Sequence, residues 1–384
     1  MIDMQDTLQH FTDRILHASQ SGQPLRLRGG GTKDFLGQSL QGEVLDTTAY
    51  SGILSYEPSE LVITVRCGTP LAEVEAALAE KGQSFAFEPP HFGAGATIGG
   101  MVAAGLSGPA RASVGTVRDF VLGARVINGK GEHLTFGGQV MKNVAGYDVS
   151  RLLAGSWGQL GLITEVSLKV LPVFPGEATL VCAGVSQAQA LKLINQWGGQ
   201  PLPLNASAWV HDTTASPAQD FFFVRLRGAI AAVDAAVDKM RAEVQALGAQ
   251  VTRMDSAQVT ADWKASGEQT LDFFKAPTEH DCLWRLSVAQ TAPVLDVRVN
   301  GVPCAQYVEW HGAQRWLWAP ASAAAQVRDA AVKAGGHATL FRTSTASRQT
   351  SGDVDKQVGV YTPLNAVQQR IQNELKKQFD PAGI

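Results

Sequence analysis

The residues best placed to do chemistry lie in two glycine-rich segments. Arg28-Gly29-Gly30-Gly31-Thr32-Lys33 follows the short apolar run 25–27, and three successive glycines leave several backbone N–H groups free to converge on an anion. The spacing is neither the GxxxxGKS/T of a P-loop nor a GxGxxG that opens a helix, and on its own the segment reads equally well as a flexible turn. The second segment, GAGATIGGMVAAG from Gly93 to Gly105, is dominated by glycine and alanine. Its backbone can approach a ligand closely, or pack a helix tightly on a sheet. Two such loops in one domain, the second opening a helix, fit a long diphosphate ligand better than either does alone. FAD is the leading candidate.

Other reactive residues are scattered. Cys67, Cys182, Cys282 and Cys304 form no CxxC pair, so neither zinc nor an iron–sulfur cluster is suggested, and the thiols are expected to be reduced. None of His10, His17, His91, His133, His211, His280, His311 and His337 has a second histidine two to four residues on, so no metal site is expected. Arg225, Arg227, Arg285 and Arg342 fall on strand-like runs, where each is either a solvated side chain or a bidentate carboxylate partner. The formal charge of −3 provides no basic field for nucleic acid. The first twenty residues have no signal-peptide pattern, and no stretch approaches the ~18–20 apolar residues of a membrane span. The chain reads as soluble and cytoplasmic.

The elements that must position these residues divide into two halves. Of 39 glycines, 25 lie in 1–175, whereas Trp157 is the only tryptophan before 176 and seven follow it. The first half alternates helix and strand: a helix near 5–20, strands near 25–27 and 61–68, a helix with Leu71, Val74, Ala77 and Leu78 on one face and Gly82 at its cap, then strands at 120–129, 133–138 and 160–172. The second half reads as β-α-β units, with strands at 221–228, 249–254 and 337–342 and a hairpin around 304–320, which together suggest a ferredoxin-like sandwich. Residues 343–360 are polar and read as a loop, and PLNAVQQRIQNELKKQFD closes the chain as a helix. The tryptophans Trp310, Trp316 and Trp318 fit either a core or a subunit interface; the interface is favoured.

RGGGTKDFLG, GATIGGMVAAGLSGPARASVGTVRDFVLGARVINGKGE and MKNVAGYDVSRLLAGSWGQLGLITEVSLKV occur in that order. Together they resemble the FAD-binding (PCMH-type) domain of the vanillyl-alcohol oxidase/p-cresol methylhydroxylase flavoproteins. KNVAGYDVSRLLAGSWGQLGLIT, ATLFR and the terminal FDPAGI narrow this to a resemblance to the FAD-binding subunits of bacterial glycolate oxidases, from about residue 24 onward. The resemblance implies an α+β fold: a PCMH-type FAD-binding domain of two α+β subdomains over 1–175, a ferredoxin-like α+β cap over 176–342, and a loop and C-terminal helix over 343–384 that returns to the FAD domain. It implies that Arg28, Gly29, Gly30, Gly31, Thr32 and Lys33, with Thr97, Ile98, Gly99 and Gly100, bracket the FAD pyrophosphate through backbone N–H groups. Pro89 and Gly93 would line the same channel. Gly105, Ser107, Gly115, Thr116, Arg118 and Asp119 would follow the ribityl chain and flavin, and Gly161 and Ile163 would hold the adenine end. With no His or Cys in the first loop, FAD is expected to be non-covalent.

Lys142 and Tyr147 match a block near the flavin ring in related 2-hydroxy-acid dehydrogenases, and with Arg342 they are the candidate catalytic residues. The alternative is that Asp148 and Arg151 pair structurally while Tyr147 packs. The paired-histidine metal motif of catalytic relatives is missing near His337. The implied function is the FAD-binding subunit of a multi-subunit glycolate oxidase that converts the 2-hydroxy acid glycolate to glyoxylate. Its implied partners are a homologous FAD-containing catalytic subunit and an iron–sulfur subunit, at the inner face of the cytoplasmic membrane through those partners. A self-sufficient FAD-linked oxidoreductase and a non-catalytic scaffold are the rivals. The resemblance also implies a further asparagine–proline–glycine turn, so the ending at Ile384 reads as a truncation.

Overall fold

The structure is a computed structural model that describes residues 4–138, 147–254, 256–349 and 353–384. In the first half, the helix Met4–Ser21 buries Thr7, Phe11, Ile15 and Ala18 along one stripe, against Leu45, Tyr50, Ile127 and Leu162. Strands Leu25–Arg28 and Glu43–Asp46 pair in parallel, and the first of them runs straight into the glycine turn. A five-stranded antiparallel sheet follows, in the order Ile53–Glu57, Val62–Arg66, Leu162–Lys169, Val121–Ile127, His133–Gly137. Its central strand Leu162–Lys169 is buried at seven of eight positions, as a strand covered on both faces must be. The helices Leu71–Ala79 and Ile98–Ala104 pack into this core through Leu71, Val74, Leu78, Ile98, Met101 and Val102.

The second half is larger than one ferredoxin-like unit. Gly176–Ala183, the helix Gln187–Gly198, Leu204–Asp212, Gln219–Gly228, the helix Ile230–Gln245 and Gln250–Arg253 form a complete β-α-β-β-α-β unit with strand order fourth, first, third, second. Asp281–Ser287, Gln306–Glu309, Gln314–Pro320, the helix Ala324–Lys333 and His337–Arg342 form a second such set without its first helix. The two sets join edge to edge, Trp209 opposite Val308, into one eight-stranded antiparallel sheet. Sequence reading missed the opening strand, helix and second strand of the first set. The Ser186/Gln189 capping box before an apolar 3.6-residue stripe was the available signal.

Two expectations are corrected. Residues 343–360 are ordered within their described part: a helix Thr345–Gln349 and a 3-10 turn Val354–Val358 are tied down by the Asp355 carboxylate, which accepts from Ser344 N at 2.8 Å and from Cys282 Sγ at 3.3 Å. Trp310, Trp316 and Trp318 lie in the interior and present no subunit interface, with exposures of 3–7%. All three indole N–H groups bond within the chain, because a buried indole needs an acceptor. The C-terminal helix Ala366–Phe379 sets Leu375 and Phe379 against the core of the first half, and Gly129 N donates to Phe379 O at 2.8 Å.

Candidate functional site

The two glycine loops meet backbone to backbone. A Cβ on Gly30 would lie 1.5 Å from Gly95 O, and one on Gly29 would lie 2.3 Å from Thr97 Oγ1. Gly31 has a φ of +71°, a conformation that disfavours any side chain. The loops line a cavity of about 160 Å³, completed by Cys67, Gly99, Gly100, Trp157, Gly161 and Ile163 among others. Among the described residues, the N–H groups of Gly30, Gly31, Thr32 and Lys33 have no protein acceptor. In the second loop, by contrast, Ala96, Ile98, Gly99 and Gly100 donate to Gly93 O, Thr69 O, Cys67 O and Thr97 Oγ1. Four consecutive unpaired donors on cavity-lining residues therefore belong to the first loop, and the second supplies a close wall and the Thr97 hydroxyl.

Unpaired N–H groups on residues that line a cavity are what an anion satisfies, so the residues present fit the diphosphate of FAD. Charge supports the loop from outside. The Asp34 carboxylate accepts from Arg26 at 2.6 Å and from Arg28 at 2.8 Å, which aligns strand and turn. Lys33 Nζ donates to His91 O at 3.2 Å and sits 5.5 Å from the centre of the Phe92 ring. Burial pushes its pKa down to about 8 against the opposing pull of Glu268. Cys67, distant in sequence, abuts Gly99. Burial pushes its thiol up to about 12, so it packs as a small apolar group.

The remaining sequence-predicted residues have other surroundings. Ile98 is core, and Gly93 places its backbone beside Thr32. Gly105, with φ +65°, packs against Gly155, and Ser107 Oγ accepts from Val117 N at 3.2 Å. Thr116 and Asp119 form a capping box under Gly115, and Arg118 is exposed; none of Pro89, Gly93, Gly115, Thr116, Arg118 or Asp119 lines the cavity. The two described catalytic candidates have separate surroundings. Lys142 lies outside the described residues, Tyr147 is 95% exposed, and Arg342 bonds Gln269 Oε1 at 2.9 Å while stacking on Phe35. Asp148 caps the turn Val149–Leu152 and pairs with Arg151 at 3.2 Å.

The seam between the halves holds residues that sequence reasoning did not single out. Arg225 and Arg227, read as candidates for substrate carboxylate, both bind Glu88 of the first half, at 2.7 and 2.8 Å. Burial opposes ionisation of Glu88, but the two guanidinium charges and the Ala110 N–H outweigh it and hold its pKa low. Glu309 accepts from Trp316 Nε1 at 2.6 Å and from Gln314 Nε2. Burial pushes it up to about 7 despite those donors. Arg285 lies over Phe341 at 5.5 Å and faces a small cavity shared with Ser107, Gln269, Glu309 and Gln314. Burial, then the charge of Arg111, lowers it to about 10. No local pattern in sequence marks Glu88 or Glu309, since their partners are contributed by strands over a hundred residues away or by the opposite arm of a hairpin.

A glycine-loop cavity that fits a diphosphate, in a PCMH-type domain under an antiparallel cap, defines the class: an FAD-binding oxidoreductase. The profile of a family described as an FAD binding domain matches residues 6–137. The Escherichia coli (strain K12) glycolate oxidase subunit GlcE is 40% identical over 99% of this chain and 96% of its own length. The Bacillus subtilis glycolate oxidase subunit GlcD is 32% identical over 41% of the chain and 34% of its own, and a D-lactate dehydrogenase from Archaeoglobus fulgidus 30% identical over 49% and 42%. The solved structure of alkyldihydroxyacetonephosphate synthase superimposes with a TM-score of 0.67 at 15% identity, covering 98% of this chain and 73% of that one, which is a likeness of fold. The chain belongs to the family of FAD-binding glycolate oxidase subunits.

Proposed function

We propose that this chain is the FAD-holding subunit of a multi-subunit glycolate oxidase, acting in the oxidation of glycolate to glyoxylate. The observation that carries the cofactor assignment is the set of unpaired N–H groups of Gly30 to Lys33, all four residues lining the cavity. When bound, FAD supplies a two-electron acceptor. On this reading Gly29–Lys33, Thr97, Gly99 and Gly100 hold the diphosphate, Gly161 and Ile163 the adenine end, and Gly105 and Ser107 the way toward the seam. The C-terminal helix Ala366–Phe379 completes the FAD-binding half, while the described residues between 343 and 362 bond to the cap strands and helix. Arg285 is the cap arginine with no hydrogen-bond acceptor among the described residues, so it is the one free to orient an organic carboxylate. A homologous flavoprotein subunit and an iron–sulfur subunit are the proposed partners. Among the described residues no helix is long and apolar enough to cross a membrane, and association with the membrane face is proposed to run through those partners.

The visible spectrum of the purified chain, recorded before and after anaerobic addition of glycolate, tests this. A flavin spectrum is expected. Bleaching by glycolate, weakened in Arg285→Met, places substrate oxidation in this subunit. A yellow but unresponsive chain assigns it to the homologous subunit, and a colourless chain that takes up no FAD refutes the proposal.

A further inference from the structure

A second cavity, of about 480 Å³, opens on the cap sheet and is lined wholly by residues of the second half. It shares no residue with the glycine-loop cavity. Phe223, Tyr307 and Trp318 rise from the sheet, while Trp263, Leu271 and Phe273 close over it from the helix Ser256–Gly267 and the segment that follows. The polar atoms of these walls are already satisfied. Trp263 Nε1 donates to Thr179 Oγ1 at 3.0 Å, Trp318 Nε1 donates to Phe273 O at 2.7 Å, and the Tyr307 hydroxyl bonds Ser266 Oγ at 2.9 Å. A ligand there meets aromatic faces and edges and no unfilled donor or acceptor.

The rim has the opposite character. Lys275 pairs with Asp272, and His211 pairs with Asp220 at 2.7 Å. Asp212 accepts from Thr214 N and Oγ1. That leaves Asp212 and Asp262 on the rim without an ion-pair partner among the described residues. An anion entering would face carboxylates and then a wall that cannot replace its hydration. The volume and aromatic lining are those of a site for a small organic molecule, in the roughly 300–1,000 Å³ range.

We propose that this cavity binds a flat, largely apolar ring compound, neutral or cationic, at a site apart from the glycine-loop cavity and bordering the small Arg285 cavity at Ser266. The test uses the full chain with its flavin and two dyes of similar ring size, neutral N-phenyl-1-naphthylamine and anionic 8-anilinonaphthalene-1-sulfonate, followed by dye emission. Saturable one-site binding of the neutral dye is expected, with the anionic dye about ten-fold weaker or more. Ala305→Trp, at an exposed rim position, should weaken the neutral dye about ten-fold while leaving circular dichroism and flavin absorbance unchanged. Asp262→Lys, also exposed, should narrow the gap between the dyes. Absence of saturable binding, or equal affinity for both dyes that Ala305→Trp does not alter, overturns the proposal.

Discussion

At the scale of single residues, glycines that look alike in sequence have different reasons for being glycine. From sequence, Gly30 reads as access for a ligand. In the structure its missing Cβ points at Gly95 O, 1.5 Å away, whereas a Cβ on Gly100 would meet only Thr97 Oγ1, at 3.1 Å. Gly30→Ala should therefore drive the loops apart, costing about 1–3 kcal/mol and lowering the flavin-to-protein ratio. Gly100→Ala should stay within about 1 kcal/mol of the parent in denaturant unfolding. Lys33 makes a second prediction. With its pKa lowered to about 8, part of the population is neutral just above that pH, and an arriving diphosphate favours the charged form. FAD binding near pH 8–9 should take up a proton, read as a binding enthalpy that varies with the ionisation heat of the buffer, and Lys33→Met should remove that dependence.

At the scale of elements, the Glu88 clamp joins the halves. The segment 88–90 leads into the second glycine loop, and Arg225 and Arg227 rise from the strand Gln219–Gly228, so one carboxylate registers the loop against the cap sheet. Arg225 is held further by Asn205 Oδ1 at 2.6 Å and lies over the Trp263 ring. Removing one partner of a buried pair strands the other charge, so Glu88→Gln should destabilise by about 3–5 kcal/mol in thermal or denaturant melts. Because the pKa of Glu88 is lowered on folding, the clamp contributes above the ordinary carboxylate pKa and is lost as pH falls through its folded value. The parent should lose stability on acidification that Glu88→Gln has already lost.

At the scale of the whole molecule, a buried carboxyl in the seam sets a different pH dependence. Glu309 rises from 4.5 to about 7 on folding. Between those values the folded chain keeps a proton that the unfolded chain has released, so stability falls as pH rises through that window and levels off above it. Glu309→Gln keeps an acceptor for Trp316 Nε1 and removes the titration. Guanidinium unfolding from pH 5 to 8 should show the parent losing ground relative to the variant; parallel curves would contradict the assignment.

The amino-acid sequence by itself determined the two glycine loops, the change of pattern between the halves, most strands and helices of the first half and the family resemblance. Those features rest on local physics: glycine runs, capping residues and hydrophobic periods are written within ten or twenty consecutive residues. Only the tertiary structure decided that four consecutive N–H groups of the first loop stay unpaired at the cavity lining and that Arg225 and Arg227 answer to Glu88. It also decided that Trp310, Trp316 and Trp318 are internal, that Tyr147 faces solvent and that two strand sets of the cap join into one eight-stranded sheet. Each of these depends on which strands become neighbours, and the partners are brought together by sheet order and domain packing, which no short window of sequence contains.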